Sequence, residues 1–142
     1  MKRIVIVTGP PFGGKSTYVK EHMGPNDVVY DFDEMKAAVC LCNPHAEKNH
    51  ARELLWDLRH AFMEHVIEDQ TEDIETVFFI QCRVTSQWMN RLHRATRAYI
   101  QVMKCEATLE ECLERLEKDQ SRPDKDRQRE IIEAYFVLER ND

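Results

Sequence analysis

The 142 residues are 42% hydrophobic and 32% charged, and 20 Lys+Arg against 26 Asp+Glu give a formal net charge of -6. A chain of this length buries a core without disulfides or a structural metal, and its acidic balance excludes a protein that coats nucleic acid through bulk positive charge. No apolar run approaches the roughly 18 residues of a membrane span, and the cysteines (Cys40, Cys42, Cys82, Cys105, Cys112) are odd in number and irregularly placed, so one reduced, cytoplasmic domain over residues 1–142 is expected.

Ile4 to Thr8 is a short β-branched, apolar run ending at Gly9, and it reads as a strand buried on both faces. A helix follows from about Lys15 to His22 and stops at Met23-Gly24-Pro25. Asp27 to Tyr30 reads as a second strand, Asp33 to Cys40 as a short helix, and Asn43-Pro44 as a loop. From about Ala51 to Glu68 the residues Ala51, Leu54, Leu55, Leu58, Ala61, Phe62, His65 and Val66 recur at helical spacing. Thr76 to Cys82 is a third strand, Ser86 caps a helix carrying Trp88, Leu92 and Ala95, and Ala98 to Lys104 is a fourth strand. Thr108 and Glu111 have capping-box spacing before a stripe of Leu109, Cys112, Leu113 and Leu116. A mixed-charge stretch, Asp119 to Glu130, leads to a last helix with Ile131, Ile132, Tyr135 and Leu138. Strands alternating with helices predict an α/β domain whose mainly parallel sheet of about four strands is flanked by helices.

The strongest motif is Gly9-Pro10-Pro11-Phe12-Gly13-Gly14-Lys15-Ser16, followed by Thr17. It satisfies the P-loop pattern GxxxxGK(S/T) and sits where a buried strand ends and a helix begins. Three of the four glycines in the chain lie in it. A loop that wraps phosphates needs backbone N–H groups converging on an anion, in conformations a Cβ disfavours, and the next helix aims its positive end at that anion. Lys15 then reaches the β/γ-phosphates of ATP and the Ser16 hydroxyl binds Mg²⁺. The expected fold is therefore of the P-loop NTPase type.

Asp31-Phe32-Asp33-Glu34 closes the second strand, where ligands gather in parallel sheets. An Asp there is placed to take the proton of an acceptor hydroxyl or to bind Mg²⁺, while Asp33 is alternatively an N-cap if a helix starts at it. Thr8 to Thr17, with Val28-Val29-Tyr30-Asp31-Phe32-Asp33-Glu34-Met35-Lys36, resembles small P-loop kinases related to the kinase domain of bacteriophage polynucleotide 5′-kinase. The resemblance implies that Asp33 is the general base, Glu34 the second acid and Lys36 the basic residue approaching the acceptor. It extends to Thr108 to Arg115 and to Arg122-Pro123, which look like the family's helix and lid, with arginines facing the phosphates. The third strand departs from the family: Phe78-Phe79-Ile80 is followed by Gln81-Cys82-Arg83 where an Asp is common. The segment from Leu41 to Thr71 matches nothing in that family.

Phosphoryl transfer needs positive charge on the γ-phosphate oxygens, which makes Arg115 and Arg122 candidates. Arg115 also follows Glu111 at i,i+4, the spacing of a surface ion pair. Arg122, Arg127 and Arg129 fall in a sign-alternating segment, about residues 119–130, between two helices, where a closing lid belongs. From Thr76 to Cys105 there is no Asp or Glu, whereas Arg83, Arg91, Arg94, Arg97 and Lys104 all occur. Such a stripe suits a nucleic-acid backbone or an acceptor phosphate, with Asp31, Lys36 and Arg83 nearest the acceptor, or else a solvated face paired with acids from elsewhere. Trp88 reads as a core or rim residue. Cys40, Cys42, His45 and His50 are spaced C-x-C-x₂-H-x₄-H, which departs from zinc-finger separations.

The leading expectation is a kinase that transfers the γ-phosphate of ATP to a polynucleotide 5′-hydroxyl. A nucleoside, nucleotide or other small-molecule kinase shares the same loop, sheet and lid, and a binding or regulatory module that hydrolyses ATP slowly shares the loop.

Overall fold

A computed structural model describes residues 2–45, 50–68, 73–122 and 124–141. Its elements are β1 (Arg3–Thr8), α1 (Lys15–His22), β2 (Val28–Asp31), α2 (Phe32–Cys40), α3 (Arg52–Glu68), β3 (Thr76–Ile80), α4 (Ser86–Ala95), β4 (Tyr99–Lys104), α5 (Leu109–Lys118) and α6 (Lys125–Asn141). The four strands form one sheet in the order β2-β3-β1-β4, and every pairing is parallel.

β1 is central, which is why its run is apolar without alternation. Ile4 and Ile6 face one side, packed with Tyr30, Val77, Phe79, Val66 of α3 and Leu92 of α4. Val5 and Val7 face the other, with Phe78 and Val19 of α1. Right-handed crossovers require this split, because β1 to β2 and β3 to β4 step across the sheet in opposite directions. A third cluster joins Cys112 and Leu116 of α5 to Ile132 of α6, and Phe12 from the glycine-rich loop packs against it. The loop is thus tied to the α5–α6 hairpin.

Several boundaries differ from the sequence reading for local reasons. α2 begins at Phe32, one residue early, because Asp31 is its N-cap and accepts the Asp33 N–H. α4 is capped by Thr85 through the Trp88 N–H, so Ser86 is its first residue rather than its cap. The expected lid over 119–130 shortens at its far end, since α6 already starts at Lys125. There Asp124 accepts the Arg127 N–H, Gln128 is buried, and Arg129 reaches Glu117 of α5 at 2.6 Å. The alternating charges belong to a helix start paired across the hairpin. Pro123 and Thr71 lie outside the described residues.

Two apolar stripes also shift. In α3, Leu55 and Val66 are buried with Phe62 and Met63 against them, while Leu54, Ala61 and His65 are exposed and Ala51 precedes the helix. In α6, Ile132 and Tyr135 are buried, whereas Ile131 and Leu138 face outward. No helix among the described residues is long and apolar enough to cross a membrane.

Candidate active site

The glycine-rich loop turns at the end of β1 on backbone demands that two glycines meet in different ways. Gly9 has φ 147° and passes so close to its neighbour that a Cβ would lie 2.7 Å from the Cys105 carbonyl oxygen. Gly14 has φ 91° with open space around it, so conformation alone selects glycine there. Phe12 also has positive φ, at 63°, which costs a residue with a Cβ about 1–2 kcal/mol. It is held from three sides. Arg115 Nη1 donates to its carbonyl at 2.7 Å, the Arg122 guanidinium lies 4.5 Å from its ring centroid, and that ring packs on the third cluster.

Lys15 opens α1 and folds back onto the loop. Its ammonium donates to the carbonyls of Gly9 at 2.8 Å and Pro10 at 3.2 Å, and contacts the Cys82 sulfur at 3.2 Å. Ser16 and Thr17 are exposed, and their hydroxyls make no side-chain hydrogen bond among the described residues.

Lys15 also lines a cavity of about 500 Å³ at the carboxyl ends of β2 and β3, together with Asp31 and Asp33. The expected convergence of loop and carboxylates is therefore present. Burial, then the neighbouring Asp33, pushes the Asp31 carboxyl above the ordinary value, although the Asp33 N–H works against this. The capping duty falls to Asp31 and leaves the Asp33 carboxylate uncommitted to the helix end. Asp33 is half-exposed and lies 3.9 Å from the largely buried Lys36 ammonium.

Arg122 faces this region from the α5–α6 connection. Burial lowers its pKa, opposed by Asp33 and Asp119. Among the described residues its Nε is buried without a hydrogen-bond partner, since Asp119 stands 3.6 Å away, beyond a good N–H···O distance. His45 Nδ1 is likewise buried without a partner among the described residues, and burial followed by Arg122 lowers the imidazole pKa. Arg115 behaves as its spacing predicts, 3.7 Å from Glu111, but adds the bond to Phe12.

Two residues of the remaining cavity wall, Trp56 and Arg59, are ones that pattern reading passed over. Arg59 of α3 lies 5.5 Å from the Trp56 ring and 5.7 Å from the Trp88 ring, and donates to Gln81 Oε1 at 2.8 Å. Burial lowers its pKa. Among the described residues no carboxylate pairs with it. Gln81 occupies the position where the resembling kinases carry an Asp, and its amide donates to the Arg83 carbonyl at 3.0 Å. Trp56 and Arg59, one turn apart on the polar side of a long helix, were the available signal. Trp88 lines the cavity and packs on the core, the rim position expected of it. Arg83 lines the same wall, but its guanidinium donates to the Tyr135 carbonyl at 2.5 Å, pairs with Glu139 at 3.1 Å and stacks on the Tyr135 ring. Much of its charge is spent on α6. Cys40 and His50 approach to 3.8 Å, and Cys42 contacts the Lys36 carbonyl.

The donor set suits a nucleoside triphosphate: an ammonium resting on loop carbonyls, an orphaned guanidinium N–H, and an open hydroxyl at a helix start, which is a hard oxygen ligand for Mg²⁺. No family model and no curated protein sequence matches the chain. Its fold superposes on a chain of a solved structure described as the Pnkp1/Rnl/Hen1 RNA repair complex, with TM-score 0.67, 13% identity and 99% of this chain covered. This chain spans only 46% of that one. The four-stranded parallel sheet flanked by helices is thus a P-loop NTPase-like α/β fold.

Proposed function

We propose that the chain is an ATP-dependent phosphotransferase that moves the γ-phosphate of ATP to a polynucleotide 5′-hydroxyl. The observation that carries this reading is one cavity bringing the Lys15 ammonium together with the Asp31 and Asp33 carboxylates. Asp33 takes the acceptor's hydroxyl proton, the freed oxygen bonds to the γ-phosphorus, and the bond to the β-phosphate oxygen breaks to release ADP. Lys15 leaves the Gly9 and Pro10 carbonyls for the β/γ-phosphates, while the N–H groups of Gly14 and the start of α1 cradle the anion and the Gly13 N–H, bonded to the Pro10 carbonyl at 2.9 Å, holds the turn. The Ser16 hydroxyl would hold Mg²⁺, which would supply neutralisation of the phosphate charge. Arg122 Nε finds its missing acceptor on a phosphate oxygen, and Arg115 fixes the loop that presents the phosphates. Lys36 and Arg83 flank the acceptor.

The acceptor side rests on three supports. Arg59 is a half-buried cation without a carboxylate partner among the described residues, which favours an anionic acceptor over a neutral one. Phe32, Trp56 and Trp88 give the cavity the flat apolar walls on which bases stack. The motif resemblance and the RNA repair neighbour point the same way. A nucleoside or nucleotide kinase is the second reading, because a cavity of about 500 Å³ has room for a single nucleoside.

The test is transfer from γ-labelled ATP with Mg²⁺ to 5′-hydroxyl DNA and RNA oligomers, nucleosides, nucleoside monophosphates and water. Label in the oligomers is the expected result. Label only in nucleosides or monophosphates supports the second reading, and free phosphate alone means a nucleotide-hydrolysing module.

A further inference from the structure

α4 leaves the cavity by its N-terminal half, where Thr85 and Trp88 are part of the wall. Beyond that wall its surface turns basic. Arg91 lies one turn past Trp88 and Arg94 one turn further; both are exposed, as are His93 and the following Arg97. No Asp or Glu occurs between residues 76 and 105. The other cations of this stretch with a nearby acid, Arg83 and Lys104, share Glu139 at 3.1 and 3.0 Å. Among the described residues the side chains of Arg91, Arg94 and Arg97 make no ion pair or hydrogen bond. A chain of net charge -6 has plenty of carboxylates to neutralise these arginines, yet none of those among the described residues pairs with them. At 1.5 Å per residue, Arg94 stands about 14 Å along the helix from Thr85 at the cavity edge.

We infer that this face of α4 is a track for the phosphates of the nucleotides that follow the acceptor's terminal one, so that the preferred partner is a single-stranded oligomer and not a lone nucleotide. The inference rests on the proposed function for what occupies the cavity, but its geometry is separate from it. Arginines i,i+3 apart on one helix face present two guanidinium groups to successive anions, and contacts of this kind position a strand without reading its sequence. Each phosphate neutralised on a single strand contributes about 0.7 to the slope of log affinity against log salt.

The experiment is fluorescence anisotropy of a labelled 5′-hydroxyl octamer and dimer across a salt series, with wild-type protein and with Arg91→Ser combined with Arg94→Ser. Wild-type protein should bind the octamer more tightly than the dimer. The double variant should lose about 1.4 from the octamer's slope and roughly tenfold in affinity, while dimer binding and the melting temperature stay unchanged. Lysine at both positions should restore the slope. Lys20→Ser with Arg140→Ser removes the same charge from α1 and α6, and should leave the slope alone. An unchanged slope in the α4 variant, equal loss in the control pair, or no octamer binding by wild-type protein overturns the track. Label transfer with no track effect sinks this inference alone, whereas a track effect with no transfer to any acceptor sinks the kinase reading and leaves the track standing.

Discussion

Arg115 donates a 2.7 Å hydrogen bond to the carbonyl of Phe12, joining α5 to the tip of the glycine-rich loop across 103 residues of sequence. Phe12 needs that anchor because its φ is positive, at 63°, without the freedom of a glycine. Arg115→Ala should raise the KM for ATP about tenfold, equivalent to roughly 1.4 kcal/mol, because the loop tip that presents the phosphates loses its anchor. The melting temperature should hardly change, since the side chain is half-exposed. Steady-state kinetics with a thermal melt separates the two.

Asp31 and Asp33 should part company on substitution. Asp33→Asn is expected to slow transfer by 10²-fold or more, the usual order for a general base, while ATP binding measured by calorimetry is retained. Full transfer by that variant moves the base role to Asp31.

The raised pKa of Asp31 has a consequence for stability. A carboxyl whose folded-state pKa exceeds its unfolded value binds its proton more tightly when folded, so its stabilisation is complete below the unfolded value and is lost as pH rises through the folded one. Ionised Asp31 therefore weighs against the fold at neutral pH. Asn is an equally good N-cap, so Asp31→Asn should melt above wild type at pH 7, and the gap should close as pH falls toward about 4. Melting curves across that range check the sign.

Arg59→Ala should raise the acceptor KM by about 10- to 100-fold with little effect on ATP affinity, because Arg59 lies between Trp56 and Trp88 on the cavity wall. A rise in the ATP constant instead would place Arg59 on the donor side.

Behind the same wall, the Tyr30 hydroxyl donates to the Leu55 carbonyl at 3.2 Å, fastening β2 to α3. Tyr30→Phe should cost about 1 kcal/mol in urea unfolding.

The glycine-rich loop and its place between β1 and α1 were legible in the sequence because the pattern is local. One run of residues supplies the glycines, Lys15 and Ser16, and the apolar run of β1 announces a strand covered on both faces. Asp31 and Asp33 were placed correctly at a strand end, but which one capped α2 depended on a single-residue shift that pattern alone leaves open. The opposite cavity wall was legible only in part, at Arg83 and Trp88. Arg59, Trp56 and Gln81 meet only when α3 packs beside the end of β3, and Arg59 draws its character from two rings and an amide brought in from elsewhere. Arg83 shows the converse: one cation in a basic stretch proves tied to Glu139 and Tyr135 of a helix more than fifty residues away.

The central claim is that the turn after β1 grips a triphosphate. Titration calorimetry of the purified chain with ATP and Mg²⁺ tests it most directly. The account predicts saturable one-to-one binding that Lys15→Ala weakens at least tenfold, because that ammonium is the loop's own cation. No heat of binding from ATP or GTP at millimolar concentration, or equal binding by the Lys15 variant, would contradict it.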